Sequence, residues 1–254
     1  MIKIKQLLIY LGAHKFLSIR KLPEFIFDYF KFNSLSNSVG VENKFNAKLT
    51  NIYPIFLDKT ATHGFDRHYI FHTAWSARIV KKINPQFLVD ISSSLYFSAI
   101  VSAFIPVKFY DYRPAELSLS GLTSKQGDLM RLPIEDNSLD CISCMHVIEH
   151  VGLGRYGDPV DPNADYIAIK ELIRVTKPGG HIIYVTPVGK SAVKFNAHRI
   201  YSFEQILERF PGCEVEEFSL IQDDAIGGSI ITNADPMLVS KQLYGCGLFH
   251  FKKK

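Results

Sequence analysis

The sequence predicts an α/β fold: a mostly parallel sheet with helices on both faces, an antiparallel edge strand and an added N-terminal helical segment. Three observations lead to it. From residue 86 onward, short apolar runs alternate with stretches of helical periodicity, as expected of parallel strands joined by crossover helices. Three acids, Asp90, Asp111 and Asp128, stand at the ends of the first three runs. The chain has 254 residues, 47% hydrophobic and 21% charged, which is enough to bury one full core and excludes a disordered tail protein.

Residues 2–12 and 23–32 carry apolar groups at helical spacing, with Pro23 placed for a first turn. Residues 33–62 are rich in Asn, Ser and Thr and predict an irregular connection, so 1–60 is expected to be an extension and 61–254 the main domain. Residues 65–83 predict a helix ended by Pro85. Phe87 to Ile91 predicts the first strand, Leu95 to Phe104 a helix, Val107 to Asp111 the second strand, and a short third strand ends at Asp128. Leu139 to Met145 is the fourth strand, with a helical turn beginning at His146. Asp165 to Val175 is an amphipathic helix, Lys177-Pro178-Gly179-Gly180 a stop and turn, and His181 to Val185 the fifth strand. Residues 202–210 predict a helix, Cys213 to Ile221 a strand, and Gly247 to Phe251 a last strand closing an antiparallel edge.

No apolar run reaches the roughly 18 residues of a membrane-spanning helix, and no secretory cleavage pattern follows the N-terminus, so a cytoplasmic protein is expected. Four cysteines are too few for a disulfide scaffold at this length. Cys141 and Cys144 lie three apart on one predicted strand and so face opposite sides, which argues against a redox or zinc pair. The net charge of +4 is uneven: six basic and two acidic groups fall in residues 1–33, and the chain ends in Lys252, Lys253 and Lys254. Those basic ends are expected to lie outside the sheet and to allow peripheral contact with an anionic membrane, at the inner face. The body is net negative and has no basic stripe interleaved with aromatics, so nucleic acid is not indicated as a partner.

In an open α/β sheet the carboxyl ends of the strands line the ligand crevice, so Asp90, Asp111 and Asp128 are expected to converge there. That placement suits a nucleoside: a carboxylate after the second strand can accept from ribose hydroxyls, and one after the third from an adenine amino group. The loop from Gly152 to Pro162 should form a shaped turn over the crevice, where Arg155 could bind a phosphate or carboxylate and Asp158 or Asp161 sugar hydroxyls. Asp66, Arg67, His68 and His72 form a polar cluster on the predicted helix before the sheet.

Over residues 86–251 the sequence resembles the class I S-adenosylmethionine-dependent methyltransferases, a Rossmann-like superfamily. The carriers are Gly127-Asp128-Leu129-Met130-Arg131-Leu132-Pro133 through Asp140, and Leu172-Ile173-Arg174-Val175-Thr176-Lys177-Pro178-Gly179-Gly180. Val89-Asp90-Ile91-Ser92-Ser93-Ser94, Tyr110-Asp111-Tyr112-Arg113-Pro114, the segment His150 to Pro159 and Phe195-Asn196-Ala197-His198-Arg199 are similar to the domain of unknown function 268 family. The resemblance implies S-adenosylmethionine as cofactor, bound by Asp90, Ser92, Ser94, Asp111, Asp128, Leu129 and His146. Arg155, Asp158 and Arg199 are the substrate candidates, and the resemblance makes Asp66, Arg67, His68 and His72 candidates for a lid over the cofactor. Ser92 and Ser94 stand where the superfamily has glycines, whose use there is positive φ and close backbone approach.

His146-Val147-Ile148-Glu149-His150 would place His146, Glu149 and His150 on one face of a helical turn. It resembles the Glu-x-x-Glu-His motif of two metal-dependent groups, the small-RNA 2′-O-methyltransferases and the ubiquinone-pathway O-methyltransferases, with His146 in place of the first Glu; in the small-RNA group a further His after the fifth strand completes the site, and His198 occupies the matching place. The resemblance implies a divalent metal on His146, Glu149, His150 and His198, and their chemistry suits Zn, Mn or Fe better than Mg. Without a metal, His150 or His198 is the expected catalytic base for a hydroxyl acceptor. The function expected is O-methylation of a saccharide or other polar hydroxylated metabolite. The alternatives are a non-catalytic binding module with this fold and an RNA 2′-O-methyltransferase.

Overall fold

The computed structural model describes residues 20–38, 47–56, 58–61, 63–223 and 228–254. The predicted helix over 2–12 lies outside them. Contacts divide the chain into Met1–Gly64 and Phe65–Lys254, and each unit is described by itself. In the first, α1 (Leu22–Ser38) is longer than predicted and a 3-10 turn forms at Leu49–Asn51. Asn33 exchanges two hydrogen bonds with the Ala47 backbone, at 3.0 and 3.1 Å, and Tyr29 donates to the same carbonyl at 2.8 Å. Glu24 pairs with Lys59.

The second unit holds α2 (Arg67–Ile83), β1 (Leu88–Ile91), α3 (Leu95–Val101), β2 (Val107–Asp111), β3 (Leu122–Gln126) and β4 (Leu139–Met145). After these come α4 (Ala164–Val175), β5 (Thr176–Val188), β6 (Ala192–Lys194), β7 (His198–Ile200), α5 (Phe203–Arg209), β8 (Cys213–Ile221) and β9 (Gly245–Lys253). Seven strands form one sheet in the order β3-β2-β1-β4-β5-β9-β8. The pairs from β3 to β5 are parallel, and β9 runs antiparallel to both β5 and β8. The antiparallel strand therefore sits one place in from the edge, and β8 is the edge. The order reverses between β1 and β4, which is where an open sheet leaves its ligand crevice.

The core divides between the two faces. Leu172, Ile169, Val175 and Ile206 pack with Ile142, Tyr184 and Phe249 on one side. On the other, Trp75, Ile79, Val80, Phe97 and Val101 pack with Leu88, Val107, Met145 and Val185. Buried groups on α2 recur as His72, Trp75, Ser76, Ile79 and Val80, which is the helical stripe facing the sheet. Asp66 caps this helix by accepting from Tyr69 N, and Asn84 ends it in the left-handed region at φ 52°. Cys144 lies in the first core and Cys141 in the second, as opposite faces of β4 require.

Two sequence expectations are corrected and one element is added. Lys177-Pro178-Gly179-Gly180 does not separate two elements: β5 runs through it as a bulge, with Leu139 opposite Thr176 and Cys141 opposite His181. The β6 and β7 hairpin was not expected, because each strand is only three residues long. The basic C-terminus is not a free tail, since Lys252 and Lys253 belong to β9, and Lys253 Nζ donates to the Asn137 side chain and the Ile173 and Thr176 carbonyls. Among the described residues no helix is long and apolar enough to cross a membrane.

Candidate active site

A cavity of about 450 Å³ opens at the carboxyl ends of β1, β2 and β4. Its wall includes Ser92, Asp111, Asp128, Leu129, His146 and His150, all anticipated from the sequence. Ser92 follows β1 directly and holds φ 51°. Its N–H and Oγ both donate to the Tyr110 carbonyl, at 2.8 and 3.3 Å, so β2 fixes this residue in the conformation that glycine would adopt without strain. Asp111 Oδ1 accepts from Arg113 N at 2.7 Å and Asp128 Oδ1 from Met130 N at 2.9 Å. Each carboxylate is aimed by its own turn, with a second oxygen left to accept from a ligand. A side chain at Gly127 would press on the Tyr110 ring, 3.1 Å from the Cβ position, so glycine keeps the floor between the two acids low.

Asp90 is different. It is fully buried beneath the crevice, where Ser98 Oγ and Ser143 Oγ each donate to it at 2.5 Å. Burial raises its pKa to about 6, against the lowering effect of the Ser143, Ser98 and Ser93 hydroxyls. It braces β1 against β4 and α3 and does not line the cavity, which corrects its expected role. Ser94 is likewise off the wall, at the start of α3 and without a side-chain cap bond. Ser93, which the sequence did not single out, accepts from Met145 N at 3.1 Å and ties β1 to β4.

On the opposite wall a 3-10 turn, Ile148–His150, follows β4. His146 enters it at φ 55° and donates through Nδ1 to Glu149 Oε1 at 2.9 Å. Burial opposes its charged form, but Cys246 and Glu149 on either side of the ring outweigh that and hold its pKa above the ordinary value. Glu149 is buried, and its Oε2 has no partner. His150 donates through Nδ1 to the Ala197 carbonyl at 2.5 Å, which leaves Nε2 as the basic nitrogen, 3.8 Å from Glu149 Oε1. His198 lies beside it, ring centres 6.4 Å apart, and packs on Tyr244 at 4.8 Å but does not line the cavity. Burial and the neighbouring His150 lower its pKa.

The expected metal quartet is not assembled. Among the described residues, the group whose ligand atoms all lie within 4.8 Å of one another is His68, His146 and Cys246. His146 is common to both sets. Cys246 enters from β9, a hundred positions away, and only the sheet register could place it there.

The substrate candidates also rearrange. Asp158 lines the cavity, but its carboxylate accepts from Gly152 N at 2.7 Å and Tyr156 N at 3.1 Å and is the nucleus of the loop. Burial raises its pKa, and these backbone donors outweigh that and hold it below its ordinary value. Arg199 is buried, donating to the Val151 carbonyl at 2.6 Å and lying 3.9 Å from Asp165, so it supports the turn and does not line the cavity. Arg155 donates to the Ala197 carbonyl at 3.0 Å and stands over Tyr156, 5.1 Å from the ring centre. Arg113 covers the same ring at 4.9 Å, so Tyr156 on the cavity wall is flanked by two guanidinium groups. Of the supposed lid residues, Arg67 holds the Gln222 and Gly228 carbonyls, at 3.2 and 3.1 Å, and His72 is buried against His146.

The strand order, the reversal at β1 and β4 and the cavity above them define the Rossmann-like class I methyltransferase fold. Within that class, residues 133–225 match the family model described as "Caenorhabditis protein of unknown function, DUF268", which bears out the resemblance read from the sequence. A demethylmenaquinone methyltransferase of Bacillus cereus is 29% identical over 113 residues, 43% of this chain and 43% of that protein. The chain thus spans less than half the length of the curated relatives it matches. Among solved structures, a chain of the Haloferax volcanii complex containing the Trm112 methyltransferase activator gives a TM-score of 0.51 at 20% identity, covering 74% of this chain and 91% of that one. The YcgJ protein of Bacillus subtilis gives 0.50 at 14% identity, covering 72% and 98%.

Proposed function

We propose that the protein transfers the methyl group of S-adenosylmethionine to a hydroxyl of a saccharide or similarly polar acceptor. The observation that carries this reading is the cavity, which has two braced carboxylates on one wall and an imidazole anchored through Nδ1 on the other. Asp111 would accept from the ribose hydroxyls and Asp128 from the adenine amino group. Leu129 would cover the base, and the left-handed turn at Ser92 lets the backbone come close to the amino-acid portion. The donor set therefore fits the cofactor despite the two serines. When bound, the cofactor supplies a methyl on a sulfonium, already a good leaving group, so the protein has mainly to align the acceptor and remove its proton.

His150 Nε2 faces that task. The Ala197 carbonyl keeps Nδ1 protonated, Nε2 takes the acceptor's hydroxyl proton, and the Glu149 carboxylate 3.8 Å away stabilises the imidazolium that results. Val147 and Val151 give the wall beside it an apolar surface, and Tyr156 with Arg113 offers a flat, polar-edged platform suited to a sugar ring.

Titration calorimetry with S-adenosylmethionine and with its demethylated product tests the cofactor site. Binding of both, weakened at least tenfold in Asp111→Ala, is expected, and folded protein giving no heat at millimolar ligand would overturn the reading. A mass-spectrometric screen of hydroxylated acceptors then tests the chemistry. Cofactor binding without turnover on any acceptor would leave a binding module, and turnover unchanged in His150→Ala would remove His150 as the base.

A further inference from the structure

His146 stands at the meeting point of three aromatic rings and a thiol. The His68 ring stacks on it at 5.6 Å with an interplanar angle of 11°, Tyr69 lies at 5.6 Å and His72 at 5.0 Å. Tyr244 stacks in turn on His68 at 5.4 Å. Cys246 Sγ is 3.4 Å from His146 Nε2.

We infer that His68, His146 and Cys246 form a binding site for a zinc-class transition-metal ion, with Glu149 as the group that orients His146. The inference is independent of methyl transfer, and the site differs from the quartet of histidines and glutamate suggested by the sequence.

Four observations carry it. The ligand atoms of the three residues all lie within 4.8 Å of one another, and they come from α2, from the turn after β4 and from β9. A tetrahedral zinc with bonds of about 2.3 Å to sulfur and 2.0–2.1 Å to nitrogen has a sulfur–nitrogen edge of about 3.5 Å. The observed Sγ to Nε2 separation of 3.4 Å is close to that edge. The other ring nitrogen of His146 donates to a buried carboxylate, the outer partner that metal-bound histidines usually have. Two polar atoms beside the cluster, Glu149 Oε2 and His72 Nε2, are buried with no partner. His72 Nδ1 donates to the His68 carbonyl at 2.6 Å, which fixes its Nε2 as a lone pair.

One thiolate and two imidazoles favour zinc, iron or cobalt over magnesium or calcium, which take oxygen. On binding, the ion replaces the proton on Sγ and occupies the Nε2 position of His146, and protons leave to solvent. Three protein ligands leave a fourth position for water or an exogenous ligand, the pattern of a reactive site more than of a closed structural one.

The test uses the full chain, stripped with a chelator and titrated separately with Zn2+ and Co2+. The inference expects one ion per chain by elemental analysis and a thiolate-to-cobalt charge-transfer band in the near ultraviolet. Cys246→Ser should abolish that band, and His68→Ala, at a half-buried position, should weaken binding at least tenfold. Glu149→Gln should weaken it by about 10- to 100-fold. Circular dichroism of each variant separates loss of metal from loss of fold, and His68→Ala keeps the test open if the cysteine variant fails to fold. Folded wild-type protein that takes up no more cobalt than the His68→Ala variant overturns the inference. So does full metal content with no thiolate band, which would place the ion on other ligands. Calorimetry with S-adenosylmethionine on the same samples reports the cofactor site separately.

Discussion

Ser92 and His146 end two adjacent parallel strands, and both hold left-handed backbone, at φ 51° and 55°. The pair turns the chain sharply away from β1 and β4 at the point where the sheet order reverses, and both residues line the cavity. Neither is glycine, so each turn is held against a cost of about 1–2 kcal/mol by its hydrogen bonds. Ser92 is tied to the Tyr110 carbonyl, and His146 to Val185 O through its N–H and to Glu149 through its ring.

That relationship makes Ser92 a test of the turn. Ser92→Gly removes the strain and one weak hydrogen bond, so its stability in urea should match wild type or exceed it by up to about 1 kcal/mol. Ser92→Val, β-branched in the left-handed region, should lose about 1–2 kcal/mol. Equal stability of wild type and the valine variant would mean the turn is not strained as described.

Asp90 predicts a pH dependence of folding. Its pKa is about 6 in the folded protein, raised by burial, against 3.8 as the ordinary value. Because the folded state holds its proton more tightly, this stabilisation is fully present below about pH 4 and is lost as pH rises through about 6. The difference is on the order of 3 kcal/mol. Asp90→Asn, neutral throughout, should flatten that component of the stability profile between pH 4 and 6. An unchanged slope in denaturant titrations across that range would show that Asp90 does not titrate there.

Much of this architecture was legible in the sequence because parallel strands buried on both faces give unbroken apolar runs, such as Leu88–Ile91 and Leu139–Met145. The crevice was legible too, since Asp111 and Asp128 close their runs at the same end of the sheet. Asp90 misled because a carboxylate at a strand end reads alike whether it faces a ligand or two buried serines. Ser143 lies 53 positions away from it. Arg199 and Asp158 misled in the same way: each is a charged residue near the crevice whose capacity is taken by backbone groups of the loop it supports. Cys246 gave no local signal at all, since only the pairing of β9 with β5 brings it to His146.

Arg199 then has a consequence that separates structure from binding. With Arg209 at 3.4 Å and Tyr201 OH at 3.0 Å it surrounds the buried Asp165 carboxylate, and it also holds Val151 O in the turn after His150. Arg199→Ala should cost roughly 2–4 kcal/mol, because a buried carboxylate loses one of its cations. S-adenosylmethionine affinity of the folded variant should stay within about threefold of wild type, a shift under 1 kcal/mol. A stable Arg199→Ala protein with greatly weakened binding would return the residue to the ligand site.

The loop over the cavity gives the sharpest steric prediction. Gly152 holds φ 76°, and a Cβ there would collide with the Asp161 carbonyl oxygen and lie 2.5 Å from Ala164 Cβ, at the start of α4. Neither neighbour can yield easily, since Asp161 N donates back to Gly152 O at 3.0 Å and Ala164 is fully buried. Gly152→Ala therefore combines left-handed strain with a backbone clash and should cost more than about 2 kcal/mol. Gly157, also at positive φ with no atom near its Cβ position, provides the control. Gly157→Ala should lose only the conformational part, about 1 kcal/mol. Thermal melts of the two variants decide it: equal losses would mean that the loop yields at Gly152 and that its shape is not set by the contact with α4.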